Sequence, residues 1–112
     1  MQSKKRTVNR HHYAWWNYMK YAASRYSKRL QCKNLSGIER AEQEAVQAAV
    51  NTTIRLPDGE MRMRLIQKVL LQCTHKISAA ASEVPCSERT AFRWQFDFIC
   101  EMARNFKCDS LL

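Results

Sequence analysis

The chain has 112 residues, 46% of them hydrophobic and 26% charged, enough for one compact domain and too few for a catalytic core with a separate cofactor lobe. Only two glycines and two prolines occur, far below the usual combined share of roughly 12%. That scarcity excludes a Gly-rich phosphate loop or a dinucleotide fingerprint and argues against a many-stranded sandwich. The formal charge is +9, and it is unevenly placed. Residues 1–40 hold ten Lys/Arg (Lys4, Lys5, Arg6, Arg10, Lys20, Arg25, Lys28, Arg29, Lys33 and Arg40) and one acid, Glu39, whereas residues 41–112 hold nine bases and nine acids. The excess points to a polyanionic partner, nucleic acid first and an anionic membrane surface second.

Residues 1–8 read as a flexible basic arm, and Met1–His12 carry no apolar stretch of the kind a secretory leader needs. From Asn9 to Gln31 the pattern is helical: Trp15, Met19, Ala22, Tyr26 and Leu30 recur at steps of three and four, with Arg10, Asn17, Lys20, Ser24, Lys28 and Gln31 opposite. Six aromatics (Tyr13, Trp15, Trp16, Tyr18, Tyr21, Tyr26) are interleaved with bases here. Such rings can stack on unpaired bases, although Trp15 and Tyr26 fall on the apolar stripe and are expected in the core. Leu35-Ser36-Gly37-Ile38-Glu39 is a capping-box start for a second, Ala-rich helix over Gly37–Leu56, in which Ile38, Ala41, Ala45, Ala49 and Leu56 share a side and which Pro57 ends. Asp58 is expected to cap a third helix over Gly59–Cys73, with Met61, Leu65, Ile66, Val69, Leu70 and Cys73 as its apolar stripe.

The most informative stretch is Ile77–Trp94, which reads as a helix-turn-helix. Ser78 is expected to cap a first helix of two turns, with Ile77 as the preceding apolar staple. Ala80 and Ala81 are small where two helices approach, and Val84 and Cys86 tuck the turn beneath both. Pro85 stiffens a turn where such motifs often carry glycine. Ser87 caps the second helix, Ala91, Trp94 and Phe98 face inward, and Glu88, Arg89, Thr90 and Arg93 are left on its outer, N-terminal part. Arg89 and Arg93 there are candidates for base readout, since arginine donates in a bidentate manner to guanine. Ser87 and Thr90 suit phosphate, and Lys4, Lys5, Arg6, Lys20 and Lys28 would add affinity without sequence preference. The same helix carries a second apolar stripe, Phe92, Phe96, Ile99, Ala103 and Phe106. A helix apolar on so much of its circumference is buried on two sides, either under the N-terminal helices or in a homodimer, and cover within the chain is preferred.

Nothing marks an enzyme. The five cysteines (Cys32, Cys73, Cys86, Cys100, Cys108) are odd in number and never form C-x-x-C, so they read as reduced thiols. Cys73 and His75 are close, but His11 and His12 lie far away, so no metal or other cofactor is expected. No thiol has a base placed beside it. The apolar runs are too short for a bilayer span. The expected fold is all-α: about five helices in one domain, with a helical pair over 9–57 and a helix-turn-helix with a long final helix over 58–112.

Over roughly Val50–Phe106 the chain resembles small phage transcription regulators: the antitermination protein Q group and the RinA/ArpU-type late-gene activators. These share a C-terminal helix-turn-helix similar to the promoter-reading region of sigma factors. The matching elements are the apolar helix Met61–Leu71, the short Ala-bearing Ile77–Val84, the turn Cys86-Ser87, Thr90 three residues on, and the aromatic-rich Phe96-Asp97-Phe98-Ile99. The resemblance implies a phage or prophage regulator that binds double-stranded DNA near a late promoter, with host RNA polymerase as partner, in the cytoplasm of a bacterial host at the nucleoid. The Cys-rich, metal-holding segment of some antiterminators is absent, and the N-terminal aromatic helix has no counterpart. Rival expectations are a helical protein-interaction adaptor and a DNA-recognition subunit of a packaging machine.

Overall fold

The structure, a computed structural model, describes residues 14–107, and those residues form an all-α fold of five helices in chain order: α1 (Ala14–Arg29), α2 (Gly37–Ile54), α3 (Gly59–Ile66), α4 (Ile77–Glu83) and α5 (Glu88–Asn105). A π-helical turn, Gln67–Leu71, prolongs α3. The arm and the first residues expected to be helical, 9–13, lie outside the described residues.

α2 occupies the centre of the bundle and packs against α1, α3 and α5, its contact with α5 being the most extensive. Its sequence explains the position. Ala41, Ala45 and Ala49 are buried together with Val46, and side chains this small let neighbouring axes approach closely. The expected capping box is present: the Glu39 N–H donates to Ser36 Oγ at 3.2 Å, and the Ser36 N–H donates to Glu39 Oε1 at 2.9 Å. Ile38 is only half-buried and Leu56 is exposed, so the buried side of α2 runs through Ala41, Glu42, Ala45, Val46, Ala49 and Thr53 instead.

Four local expectations are corrected. On α1 the core tryptophan is Trp16, fully buried, while Trp15 is 36% exposed and Leu30 lies in solvent. Both tryptophans have Met19 three or four residues on, so periodicity alone fits either, and the packing partner Phe96 selects Trp16. Their ring centroids lie 5.7 Å apart, stacked at 26°. Asp58 precedes α3 without capping it (φ −102°, ψ 24°), because its carboxylate instead accepts from Arg62 Nε at 2.9 Å. Ser78 is not the cap of α4: the helix starts two residues earlier than a cap there would place it, Lys76 holds the extended cap position, and Ile77 is its first helical residue. Finally, the third helix does not run unbroken to Cys73. It widens at Gln67, where the Gln72 N–H donates five residues back at 2.8 Å, and Cys73 turns the chain out with φ 54°.

Two positions fix how the helices join. Gly59 is buried at the α2–α3 corner, where an added Cβ would lie 2.4 Å from the Thr53 carbonyl oxygen. Only glycine fits there. Arg62 ties α3 to α5, donating from Nη1 to Asp97 Oδ2 at 3.1 Å while its guanidinium lies 5.7 Å from the centre of the Trp94 ring.

The second apolar stripe of α5 is covered within the chain along most of its length. Phe96 lies on Trp16, Phe106 meets Tyr18 edge-on at 5.7 Å, and Ile99 is fully buried. Only Phe92, 40% exposed, escapes. The stripe therefore does not require a second subunit to cover it.

Candidate nucleic-acid interface

α4 is too short to be stable alone and is held by its surroundings. Ala80 and Ala81 are buried against the core. Glu83, at its C-terminal end, accepts from Lys68 Nζ at 3.0 Å and meets His75 Nε2 at 3.0 Å, closing the helix onto the π turn. These two partners hold the Glu83 carboxyl below its ordinary pKa, the Lys68 contact contributing most. The connection to α5 follows the expected logic. Val84 is fully buried in extended conformation, and Cys86 is half-buried on the core, where desolvation raises its thiol pKa. Ser87 then starts α5: its Oγ accepts from the Thr90 N–H at 3.1 Å and donates to Thr90 Oγ1 at 3.0 Å.

Ala91, Trp94 and Phe98 are buried, as their spacing requires, on the side of α5 that packs into the bundle. Arg89 and Arg93 consequently project into solvent, and neither forms an ion pair with another described residue. They are one helical turn apart on the same face. Glu88 is exposed beside them. Ser87 and Thr90 remain at the helix start with their hydroxyls engaged with each other, leaving the Thr90 hydroxyl proton available to a phosphate oxygen.

The basic residues expected to assist do not all gather here. Lys20 does: it is half-buried on α1 and shares a groove with Glu88 and Phe92 of α5. Lys28 lies elsewhere, exposed in the last turn of α1 beside a concavity formed with Tyr21, Arg25, Leu35 and Glu39. Lys4, Lys5 and Arg6 lie outside the described residues. Two groups escaped the sequence reading. Lys76 stands at the entry to α4 on the same groove, where only the helix start, mislocated at Ser78, could have flagged it. Gln95 interrupts the buried stripe Ala91-Trp94-Phe98-Ile99-Met102, a polar residue at a core position that the periodicity itself could have exposed.

The aromatic α1 is mostly structural. Trp16, Tyr18 and Tyr26 are engaged in packing or hydrogen bonds: the Tyr18 hydroxyl donates to Glu42, and the Tyr26 hydroxyl donates to Gln47. Burial raises the Tyr26 pKa. Tyr21 is exposed, with the Arg25 guanidinium 5.0 Å from its ring centre. Arg29, counted among the excess bases, donates to Glu42, a carboxylate only 5% exposed. Desolvation opposes the Arg29 charge, but the Glu42 hydrogen bond and charge prevail and lift its pKa above the ordinary arginine value.

Among the described residues no cluster of metal-ligating side chains occurs, and no helix is long and apolar enough to cross a membrane. No protein-family model, curated protein or solved structure matches the chain.

Proposed function

We propose that this chain is a DNA-binding transcription regulator that reads duplex DNA with the N-terminal half of α5. The observation that supports it most is the pair Arg89 and Arg93, one turn apart, solvent-facing and in no ion pair with a described residue, on a capped helix whose other side is buried in the core. A rigid helix presenting two guanidinium groups to the outside is what major-groove readout demands. Ser87 and Thr90 set the register on phosphate, and Lys20 adds affinity from the flank. The phage or prophage origin, the late-promoter role and host RNA polymerase as partner come from the family resemblance alone. They are part of the same proposal.

Selection of bound sequences from a random duplex pool tests it directly. A defined motif is expected from the wild type. With that motif in hand, Arg93→Ala is expected to lose about 1–3 kcal/mol on the cognate duplex and to relax preference at one position. Equal losses on cognate and random DNA would sink the readout role. A salt titration on random duplex adds a second check: affinity should fall steeply with salt through counterion release, and absence of binding at about 50 mM salt, where that driving force is strong, would favour an adaptor.

A further inference from the structure

A groove of about 480 Å³ opens beside the reading face of α5, within the roughly 300–1,000 Å³ typical of small-molecule sites. Three features converge on it. Gln95 lines it while being only 5% exposed, and its carboxamide has no hydrogen-bond partner among the described residues. The carboxamide keeps no protein partner, so what remains accessible of it opens on the groove, where a ligand's polar edge can replace water as its partner. Phe92 offers a ring that the chain leaves 40% exposed. Lys20 and Lys76 bring ammonium groups from two different elements, and neither is ion-paired with a described residue.

We propose that this groove binds a single nucleotide, with its base on Phe92, the base edge hydrogen-bonded to Gln95 and its phosphate between Lys20 and Lys76. A carboxamide supplies a donor and an acceptor side by side, the pairing that base edges present. An aromatic face holds any base by stacking. An inorganic anion would leave Phe92 and Gln95 idle, and a neutral aromatic would leave both ammonium groups idle. Glu88 on the rim opposes further negative charge, so a monophosphate fits better than a triphosphate. The nucleotide has two sources, free in solution or turned out of a strand lying on α5. The site goes beyond duplex readout and does not depend on it.

The experiment uses the full chain, labelled with ¹⁵N, and follows the backbone amide resonances of residues 92 and 95 in every variant, with the Gln95 side-chain amide resonances wherever Gln95 is present. The four 2′-deoxynucleoside 5′-monophosphates are titrated in turn, then inorganic phosphate, the nucleosides, and a duplex with and without one unpaired nucleotide. A saturable shift with at least one monophosphate assigns a free nucleotide; a shift only with the bulged duplex assigns a nucleotide of the strand. In either case Phe92→Ala and Gln95→Met should each weaken binding about tenfold or more. Phosphate or nucleoside alone should also bind at least about tenfold more weakly than the nucleotide. Phe92→Ala trims an exposed ring and should leave the helical circular dichroism intact, so it carries the test if Gln95→Met fails to fold. Arg93→Ala leaves monophosphate binding unchanged, which separates this site from the duplex reading. No saturable response to any of these probes, or equal affinity in wild type and Phe92→Ala, or equal binding of phosphate and nucleotide, overturns the proposal.

Discussion

The two ends of the molecule spend their charge in opposite ways. The N-terminal third holds the whole formal excess of positive charge, yet its Arg29 is consumed inside the fold by Glu42, and Arg25 lies over Tyr21. From α3 to α5 bases and acids nearly balance, and most of the acids are occupied: Asp58 and Asp97 by Arg62, Glu83 by Lys68 and His75, Glu101 by Arg104, while Glu60 and Glu88 stay exposed and outside any ion pair with a described residue. Arg89 and Arg93 are thereby left outside any ion pair with a described residue, on a region whose charge nearly cancels. Net charge alone does not say which bases are exposed and outside ion pairs; the packing of the helices does.

If that contrast holds, breaking the charge of α1 should cost stability, whereas breaking the charge of α5 should cost only binding. The largest effect is expected for Glu42→Leu, which removes the buried carboxylate that Arg29 and the Tyr18 hydroxyl donate to, leaving Arg29 only the longer contact with Glu39 at 3.9 Å, and should lower unfolding free energy by about 3 kcal/mol, the low end for a broken buried pair. Urea unfolding followed by circular dichroism measures it, and a loss under half of that would mean water reaches the pair. Gly59→Ala, which forces a Cβ into the backbone of α2, is expected to cost about 2–3 kcal/mol in the same assay. The double variant Arg89→Ala and Arg93→Ala should instead leave the unfolding curve within about 0.5 kcal/mol of wild type, as exposed substitutions do, while abolishing preference for the cognate duplex. A stability loss as large as that of Glu42→Leu would refute the division of roles.

Two smaller effects sharpen the picture of how α4 is held. Cys73 sits in the left-handed region at φ 54°, a conformation that costs a side-chain-bearing residue about 1–2 kcal/mol and glycine little. Cys73→Gly should therefore stabilise the protein by about 0.5–1 kcal/mol once the greater freedom of glycine in the unfolded chain is deducted. Thermal melting checks it, and a fall in Tm would show that the Cys73 thiol, 3.3 Å from the Leu70 carbonyl oxygen, matters more than the backbone. The carboxyls of Glu83 and Glu39 are both held below their ordinary value of 4.5, Glu83 chiefly by Lys68 and Glu39 chiefly by the Ser36 N–H. A depressed folded pKa contributes stability that is complete above the unfolded value and is lost as pH falls through the folded one. Stability should thus be flat on this account above about pH 5 and decline below it, and Glu83→Gln should reduce the decline.

Much of the local structure was legible in the sequence because it depends on neighbours in the chain. The capping box at Ser36, the Ser87 cap, the stop at Pro57 and the inward face Ala91-Trp94-Phe98 all follow from spacings of three and four residues. The exposed Arg89 and Arg93 follow from that same inward face. What escaped depends on partners far along the chain: Trp16 chosen over Trp15 by Phe96, Asp58 diverted from capping by Arg62, and Glu42 buried by Tyr18 and Arg29. The π turn at Gln67 belongs with these, since Glu83 of α4 closes onto Lys68 within the turn and onto His75 after it.

By itself, then, the amino-acid order determined an all-helical chain, most of its helix boundaries and which side of the last helix carries its arginines, because hydrophobic periodicity and capping act within a few residues. Which bases remain available to a ligand, and that Gln95, Phe92, Lys20 and Lys76 meet around one groove, was decided only when the helices packed. Charge pairing and concavity are properties of surfaces brought together from distant segments, and no local pattern encodes them.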